Sequence, residues 1–421
     1  MRKYRILFMA LSQTFLFGVM SAIQEVVQHD IDVDVFVPIE TGLINPQFEC
    51  DMIADSLKDM NLSIFRSIPE NKNYDIVYSA YPPYYNDLLA QNRVKYHVRF
   101  SYGVAVANKP QLHSQNIYNF YDYVLCLSIP NVMLFSGFAQ SVCIGNIKLA
   151  NYKRSRAVTG EKKTLLYIPT WNGVNTSSSV NADTVKKLLD LRYKYNVVAK
   201  MHPQTSFYHA EREKFELFKS FDTVYNVTTP IADILNDVDV VLSDLSGAAF
   251  DAIAGDVPLA LFGLGEPVYY GGKLCLHQQL VKDDIIPGTN DINELESIIE
   301  KALTPGYVAK QQKLKKEIFP FEGQECLDAF MRFQNDLFED RVDPWYIATR
   351  RAIRENYIRE QKETQERFEA MTLTHEDTVK EIISAYEKDL HLTRKTYENS
   401  LSWKLTKPFR AVAGLVNWKK H

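Results

Sequence analysis

The sequence of 421 residues has little of what marks several common classes of protein. Its five cysteines are scattered and form no CxxC pair, so neither a disulfide framework nor a zinc site is indicated, and reduced cytosolic thiols fit best. The net charge is −4, which argues against a nucleic-acid-binding protein. The signatures GxxxxGK, GxGxxG and GxSxG are missing. No stretch reaches the roughly 20 uninterrupted apolar residues of a membrane-spanning helix.

The N-terminal segment, 1–39, allows two interpretations. MRKYRILFMALSQTFLFGVMSA begins with basic residues and continues with an apolar body, as a secretory signal peptide does. However, polar residues at 12–14 interrupt that body, and the strand-like segment IDVDVFVPI follows at 31–39. We favour a folded unit with a strand over residues 4–10, a helix to about residue 27 and a second strand.

Apolar, strand-like runs alternate with helical segments from the start of the chain to about residue 335. The runs lie at 5–10, 32–37, 74–80, 94–100, 121–128, 140–145, 163–170, 195–202, 222–227, 239–244 and 257–263. Nearly continuous apolar strands separated by helices are typical of parallel sheets that are buried on both faces. With a basic linker at about 150–162, the pattern predicts two doubly wound, Rossmann-like α/β domains that face a cleft. Their bounds are 1–155 and 156–342.

The chain changes character after about residue 343. Residues 351–400 hold 20 charged side chains and neither glycine nor proline. Apolar or neutral residues recur there with an imperfect three-four spacing, so we predict one long helix over residues 343–400. The pattern leaves open whether that helix is solvated alone or pairs in a weak coiled coil, which would permit a homo-oligomer through residues 344–400.

The end of the chain, 401–421, is basic and rich in tryptophan. Its predicted membrane-binding side chains are Trp403, Lys404, Lys407, Phe409, Arg410 and Trp418. Apolar residues at spacings of 4, 3 and 4 define one helical face. A basic amphipathic helix with tryptophans near its ends suits an anionic membrane surface. The alternative is a helix that docks on the protein itself.

In an open parallel sheet, ligands bind at the carboxyl ends of the strands. The run at 239–244 delivers Ser243, Asp244, Ser246 and Gly247 to the start of a helix. Serine hydroxyls and the free backbone N–H groups of a helix N-terminus favour an anion such as a phosphate. We expect Asp244 to cap that helix or to accept a hydroxyl, and the alternative for the whole segment is a turn without a ligand.

Two more strand ends carry candidate residues in the second half. His202 follows the run at 195–202, where its imidazole could donate to a phosphate or stabilise a leaving group. Thr170 and Trp171 end the run at 163–170, and the polar segment VNTSSSVNA comes next. That segment either closes over a substrate or is a loose loop.

The first half offers candidates for an acceptor site or a general base. His97, Arg99 and Ser101 share one face of the run at 94–100 by strand alternation, and Tyr102 follows at its end. Each of them could instead be an ordinary residue of a sheet. We name His97 and Tyr102, with His202, as candidate catalytic residues.

Two Asp-x-Asp patterns suggest a metal site at first sight. They are Asp32-Val33-Asp34 and Asp237-Val238-Asp239. Both precede or begin predicted strands, which is the wrong edge of the sheet for chemistry. We therefore predict no metal site there.

Several of these segments together resemble the CDP-glycerol glycerophosphotransferases, the teichoic-acid and capsule polymerases and primases. The matching segments, in order, are IPTWNG, KMHP, DVDVVLSDLSGAAFDAIAGDVPLALF, IIPG at 285–288 and FEGQE at 321–325. The resemblance covers roughly residues 75–335 and implies a GT-B fold. It also implies a nucleotide site in the second domain, and no metal or other cofactor beside the nucleotide-activated donor.

The resemblance assigns roles to individual residues. It implies that His202, Ser243, Ser246 and Gly247 hold the diphosphate of the donor, with Asp251 on the helix behind. Pro287 and Gly288, in IIPG, join the donor-binding set with Thr170, Trp171 and Asp244.

This sequence departs from the family at two places. The family carries a WHG-type motif with a catalytic histidine, whereas Ser101-Tyr102-Gly103 stands here, with His97 and His113 nearby but outside the motif. The base and the acceptor therefore stay unassigned. Residues 145–148 read GNIK where many relatives have an aspartate after the glycine.

These observations lead to three hypotheses of function. The first is transfer of glycerol phosphate from CDP-glycerol to a hydroxyl of a lipid-linked or growing surface polysaccharide, with release of CMP. The second keeps the fold but uses a UDP-sugar as donor. The third is a catalytically inactive assembly partner. The segment SLSWKLTKPFR resembles the ends of bacterial surface-polysaccharide transferases, so we expect a cytoplasmic protein, peripheral on the inner face of the cell membrane.

Overall fold

The computed structural model describes residues 3–10, 13–37, 55, 57–60, 62–67, 71–80, 93–101, 103–104, 118–154, 162–172, 178–207, 209–270 and 272–399. The chain divides into two compact units, Met1–Glu355 and Asn356–His421. The predicted membrane-binding tail at 401–421 lies outside the described residues, as do Tyr102 and His113.

Seven strands form the first sheet: β1 (Tyr4–Met9), β2 (Ile31–Phe36), β3 (Ser63–Phe65), β4 (Tyr74–Ser79), β5 (Val94–Phe100), β6 (Tyr123–Cys126) and β7 (Gln140–Cys143). Their order across the sheet is β3-β2-β1-β4-β5-β6-β7, and each pair is parallel. Helix α1 (Gln13–Val26) connects β1 to β2, and helix α2 (Ile129–Phe135) connects β6 to β7. The favoured interpretation of the N-terminal segment, a strand-helix-strand unit, is confirmed.

Six further strands form the second sheet: β8 (Lys163–Ile168), β9 (Tyr195–Lys200), β10 (Val224–Tyr225), β11 (Val240–Ser243), β12 (Leu259–Phe262) and β15 (Gly288–Thr289). Their order is β10-β9-β8-β11-β12-β15, again parallel throughout. A small antiparallel hairpin consists of β13 (Tyr269–Tyr270) and β14 (Lys273–Leu274).

Helices follow most strands of the second sheet. They are α3 (Ala182–Asp190), α4 (Pro203–Phe207), α5 (Arg212–Phe218), α6 (Ile231–Leu235), α7 (Ala248–Ala254), α8 (Leu276–Lys282), α9 (Leu295–Ala302) and α10 (Pro305–Ile318). Two more, α11 (Gln324–Phe338) and α12 (Pro344–Asn399), complete the described chain. None of the helices in this part of the chain is long and apolar enough to cross a membrane.

All eleven predicted strand runs coincide with strands. Most of these strands are apolar and buried on both faces, whereas β7 and β10 are only partly buried. The strands that the sequence did not predict are β3, β13, β14 and β15, which are only two or three residues long. Runs that short show no periodicity.

Helix α11 returns from the second sheet to pack against the first. The Phe330 ring lies 5.6 Å from the ring of Tyr78 and 5.8 Å from that of Phe100. Phe338 stacks on Tyr4 at 4.0 Å. Buried aromatic pairs of this kind add to the area that they remove from water. The segment predicted as the end of the second domain therefore helps to build the core of the first.

The first turns of α12 also belong to the body of the protein. The buried guanidinium of Arg350 donates to the carbonyl oxygens of Tyr121 and Phe138, at 2.9 and 3.1 Å. Arg354 donates to the carboxylate of Asp122 at 2.8 Å, and both side chains are buried. Buried arginines thus fix the first turns of α12 to the first sheet.

Candidate active site

The ends of β8 and β11 lie side by side at the carboxyl edge of the second sheet. Their register pairs Ser243 with Ile168, and the Ser243 hydroxyl donates to the carbonyl oxygen of Ile168 at 2.8 Å. Since β9 is the other neighbour of β8, its end, with His202, belongs to the same edge. The structure therefore brings together Thr170, Trp171, His202 and the segment 243–247, as the sequence predicts.

Asp244 is the most constrained group at this edge. It is completely buried, and its carboxylate accepts hydrogen bonds from the Thr170 N–H at 2.7 Å and from the N–H and hydroxyl of Ser179 at 2.9 Å each. Burial raises the pKa of Asp244 to about 6, although these hydrogen bonds oppose the shift. Asp244 takes a hydroxyl, as expected, but it joins two loops instead of capping a helix.

Ser179 is a residue that the sequence analysis did not single out. It belongs to the polar segment after β8, which we expected to be a lid or a loose loop. Its hydroxyl also lies 2.9 Å from that of Tyr167, and the neighbouring Ser178 N–H donates to Asn172. The described end of this segment is therefore anchored to the sheet. Residues 173–177 lie outside the described residues.

Ser246 and Gly247 form the turn into α7. The Ser246 hydroxyl accepts a weak hydrogen bond from the Ala248 N–H at 3.3 Å. Gly247 has ordinary helical angles, φ −60° and ψ −24°, so its backbone conformation does not require glycine. The nearest atom to the place that a Cβ would take is the carbonyl oxygen of Val104, 3.9 Å away. The turn into α7 thus faces the loop after β5, across the space between the two sheets.

His277, on α8, supports this turn and was missed from the sequence. Its Nε2 donates to the Ser246 carbonyl oxygen at 2.9 Å, and its ring meets the ring of Phe250 edge-on at 4.8 Å. The ring is buried, and burial lowers the pKa of His277 to about 4. A neutral histidine with its proton on Nε2 therefore fixes the Ser246 backbone. No motif in the sequence marks it.

His202 follows β9 and packs near Trp171. The two rings stack with 6.1 Å between their centroids. The Nδ1 of His202 accepts from the Gln204 N–H at 3.2 Å, so the neutral ring carries its proton on Nε2.

Lys200, which ends β9, binds the backbone. Its buried ammonium donates to the carbonyl oxygens of Asn226 and Val227 at 3.0 Å each. Burial lowers the pKa of Lys200 to about 8.

Pro287 and Gly288 lie beside the edge that Ser243 occupies, two strands away. Gly288 pairs with Leu261 of β12, which in turn pairs with Ser243. A Cβ at Gly288 would lie 2.5 Å from a methyl group of Val281, so this position has no room for a side chain. The Pro287 carbonyl accepts from the Leu261 N–H. These contacts of Pro287 and Gly288 hold β15 in the sheet.

In the first sheet, His97 lies inside β5 and not at its carboxyl end. It is 4% exposed and packs edge-on against Phe120. Burial, followed by the charge of Arg354, lowers the pKa of His97 well below its ordinary value. These surroundings suit a core residue, and we do not carry His97 into the proposed mechanism.

The loop at the end of β5 is held by Asn131, another residue that the sequence did not reveal. The Asn131 side chain donates to the Gly103 carbonyl at 3.1 Å and to the Ser101 hydroxyl at 3.4 Å. Ser101 also donates to the Gly103 carbonyl at 3.1 Å. Arg99 is buried against the rings of Tyr118 and Phe135, with its guanidinium 5.1 and 4.9 Å from their centroids. Ser101 and Gly103 thus mark the strand end that faces α7.

Asp251 connects α7 to the segment that follows β7. It accepts from the side chain of Asn146 at 2.9 Å and from the ammonium of Lys148 at 2.6 Å. This ion pair is largely buried, with side-chain exposures of 12% for Lys148 and 5% for Asp251. Gly145, at φ +74°, lets the chain pass close to Cys326. The variant GNIK sequence therefore supplies the partners of Asp251, which lies behind the site as expected.

The Asp-x-Asp patterns lie away from this edge. Asp34 binds the ammonium of Lys72 at 2.8 Å and the hydroxyl of Tyr74 at 2.9 Å. Asp239 accepts from the Thr164 N–H at 2.7 Å. Among the described residues, no group of three or more His, Cys, Asp or Glu side chains is placed to hold a metal ion.

The comparisons with known proteins agree with this geometry. Residues 145–269 match the model of the family described as CDP-Glycerol:Poly(glycerophosphate) glycerophosphotransferase. No protein of curated function matches the chain. The resemblance predicted from the sequence is confirmed over this segment, which contains every described candidate at the carboxyl edge of β8, β9 and β11.

Solved structures share the fold at low sequence identity. A putative UDP-N-acetylglucosamine 2-epimerase from Listeria monocytogenes is 13% identical, with 82% of this chain and 98% of that chain covered and a TM-score of 0.51. The wall teichoic acid polymerase TagF, soaked with CDPG, is 13% identical, with 81% and 90% covered and a TM-score of 0.52. S. aureus MnaA, in a co-structure with UDP, is 10% identical, with 80% and 97% covered and a TM-score of 0.53.

These likenesses confirm the predicted fold class, a GT-B-like pair of Rossmann-like domains followed by a helical region. The family match adds chemistry that the fold alone does not supply, since one fold serves many reactions. Residues 145–269 are thus similar to the glycerophosphotransferase family, on a fold that the chain shares with TagF.

Proposed function

We propose that the protein transfers glycerol phosphate from CDP-glycerol to a hydroxyl of a lipid-linked or growing cell-surface polysaccharide, of teichoic-acid or capsule type. One observation carries most of the argument. The segment that matches the family is the same segment whose Thr170, Trp171, His202, Ser243 and Ser246 meet at one sheet edge. In open parallel sheets that edge is the place of the ligand.

The proposed reaction breaks the diphosphate bond of the donor. The oxygen of the acceptor hydroxyl attacks the phosphorus that carries glycerol, and a new P–O bond forms. The bond from that phosphorus to the bridging oxygen breaks, and CMP leaves with the electron pair. The proton of the hydroxyl passes to a base that we do not assign. Such transfers depend on positioning and on stabilisation of charge more than on covalent chemistry.

The residues divide into those that meet the donor and those that position them. His202, with a proton on Nε2, and the Ser246 hydroxyl supply donors for the diphosphate, where negative charge develops as CMP leaves. Asp244 and His277 position the loops and the Ser246 backbone. The acceptor would lie towards Gly103 and Val104, since the carbonyl of Val104 comes close to Gly247.

The proposal extends to the place of the reaction. We propose that the tail at 401–421 binds the anionic inner face of the cell membrane from the cytoplasm, where a lipid-linked acceptor would be found. The support is its composition, basic and tryptophan-rich with one apolar helical face. The reaction as written uses groups of the chain and the nucleotide-activated donor, with no further cofactor.

The deciding experiment is thermal unfolding of the full chain with CDP-glycerol, CMP, UDP or UDP-sugars. A ligand at 100 times its dissociation constant stabilises the folded state by about 2.7 kcal/mol, which is easily seen as a shift of Tm. We expect shifts with the cytidine ligands only, and release of CMP when CDP-glycerol and a polyol-phosphate-primed lipid acceptor are both present.

The second candidate is a glycosyltransferase that uses a UDP-sugar, with attack at the anomeric carbon. The observation in its favour is that the fold is shared with a putative UDP-N-acetylglucosamine 2-epimerase and with MnaA, which was solved with UDP. A shift with the uridine ligands alone would replace our proposal with this one. Binding of nucleotide without turnover of any donor would favour the third hypothesis, an inactive assembly partner.

A further inference from the structure

In the second unit, α12 carries large apolar side chains into solvent. Phe368 is 65% exposed, Met371 71%, Tyr386 70% and Leu390 59%. The neighbouring positions are mainly charged, and ion pairs such as Lys362–Glu366 lie along the helix. Soluble monomers rarely leave a long series of this kind uncovered.

Several of the apolar residues follow a fixed period. Tyr357, Phe368, Val379 and Leu390 follow one another at equal intervals of eleven positions. Each position of an α-helix advances by about 100°, so eleven positions make three turns and about 20° more. These four positions therefore stay on one face of the helix over its whole length in this unit.

Two further series keep the same period. The interval from Met371 to Ile382 is again eleven positions, and so is that from Tyr386 to Tyr397. They follow the first series at offsets of three and seven positions, so they fall on the same face. The three series make up the apolar stripe of α12. An 11-residue repeat is the pattern that gives a right-handed coiled coil, unlike the heptads of a left-handed one.

We propose that the apolar stripe packs against the same stripe of a second copy of this chain, in a right-handed coiled coil. A partner helix must repeat its apolar residues with the same period along roughly 66 Å to stay in contact, and a second copy does so by its sequence. Eight apolar positions at roughly 100 Å² each would bury roughly 800 Å² per partner, which is the size of a standard stable interface.

Charge favours a second copy over a membrane as the occupant. Residues 356–399 hold ten acidic and seven basic side chains, a balance of −3. An anionic membrane surface attracts helices with an excess of lysine and arginine and would repel this one. The proposal does not depend on the proposed reaction, because it concerns a unit outside the candidate active site.

The test compares the full chain with two double variants by sedimentation equilibrium at micromolar concentration. Phe368→Glu/Leu390→Glu places charges in the stripe. The matched control Ala370→Glu/Ser384→Glu adds the same charges on the opposite side of the helix, about 140–170° from the stripe. Circular dichroism and the Tm of the body show that each variant is folded.

We expect a mass of twice 48.5 kDa for the wild type and the control, and the mass of one chain for the stripe variant. The dissociation constant of the stripe variant should rise on the order of 100-fold or more, because two charges would be buried in each helix. A wild type that stays monomeric, or a stripe variant that stays dimeric, would overturn the proposal. The proposal would also be overturned if the wild type is a monomer and needs the apolar stripe in order to sediment with anionic vesicles.

Discussion

The carboxylate of Asp244 and the backbone N–H of Thr170 form a buried hydrogen bond of 2.7 Å that joins the ends of β11 and β8. The other carboxylate oxygen holds Ser179 in the same way. The loop after β8, which holds both Thr170 and Ser179, therefore depends on one acidic side chain at the end of β11, and in our proposal Asp244 positions the donor site without touching the donor.

The unfolding free energy of the protein should depend on pH in the way that the buried carboxyl group of Asp244 dictates. Burial raises the pKa of Asp244 to about 6, above the ordinary value of about 3.9 for aspartate. Between about pH 4 and pH 6 the folded state therefore binds more protons than the unfolded state. The contribution of Asp244 to stability is fully present below about pH 4 and is lost as the pH rises to about 6.

Asp244→Asn removes this titration and provides the measurement. The unfolding free energy of the wild type, from urea titrations, should fall relative to that of the variant by roughly 2 kcal/mol from pH 4 to pH 6.5. The same comparison with Asp283→Asn, an exposed carboxylate on the surface, is the control. A difference that is constant over this range would show that Asp244 titrates normally.

His202→Ala should lower turnover by at least about 100-fold, because the variant loses a donor where charge develops as CMP leaves. The rate of CMP release from CDP-glycerol measures this. His29→Ala is the matched control, since the His29 ring is exposed and lies 3.2 Å from the carboxylate of Glu25 on α1. Near-normal turnover of His202→Ala would remove this residue from the mechanism.

His277→Ala should weaken donor binding by about 10-fold, in keeping with the loss of one buried hydrogen bond to the Ser246 carbonyl. His277→Gln keeps a donor group and should recover part of the affinity. Titration calorimetry with CDP-glycerol measures both variants. If affinity stays unchanged while only the Tm falls, His277 is a core residue and does not position the site.

Much of the fold could be predicted because the same sequence pattern, an apolar run followed by a helical segment, recurs along the chain. Each long strand is an apolar run between helices, and a single sheet edge collects the ends of β8, β9 and β11. The return of α11 to the first sheet was not predictable, because Phe330 and Phe338 look like residues of any amphipathic helix. Which sheet such a helix covers is decided by packing between segments far apart in the sequence.

The candidate site was predictable only in part, for a similar reason. Ser243 and Ser246 stand at an abrupt end of an apolar run, which the sequence displays. Ser179 and Asn131 act through hydrogen bonds to residues 65 and 28 positions away, and no local pattern records such contacts. Strand alternation made His97 a candidate general base, but its position inside β5 buries it.

Truncation after residue 400 should release the protein from anionic vesicles and leave nucleotide binding intact. The removed tail holds Trp403, Lys404 and the other basic and aromatic residues, and each basic residue near a charged surface contributes about 1 kcal/mol. Sedimentation with phosphatidylglycerol vesicles at low and high salt measures the change. Unchanged sedimentation of the truncated chain would contradict the membrane role of the tail.

Removal of Arg354 should destabilise the body of the protein much more than a surface substitution does. Its guanidinium lies 2.8 Å from the carboxylate of Asp122, which is completely buried and also accepts from the His97 N–H. Arg354→Met leaves that carboxylate without its counter-charge, and breaking a buried pair on one side costs about 3–5 kcal/mol. Burial already raises the pKa of Asp122 with the arginine in place.

The double variant Asp122→Asn/Arg354→Met separates charge from packing. Since no charge is then left buried, it should lose less unfolding free energy than Arg354→Met alone, as measured by urea unfolding at pH 7. Donor affinity per folded molecule should stay at the wild-type level in both, because the pair lies in the first sheet and away from Ser246. Equal losses in the single and double variants would mean that Arg354 acts through its hydrogen bond to the Phe120 carbonyl and its packing, and not through the charge of Asp122.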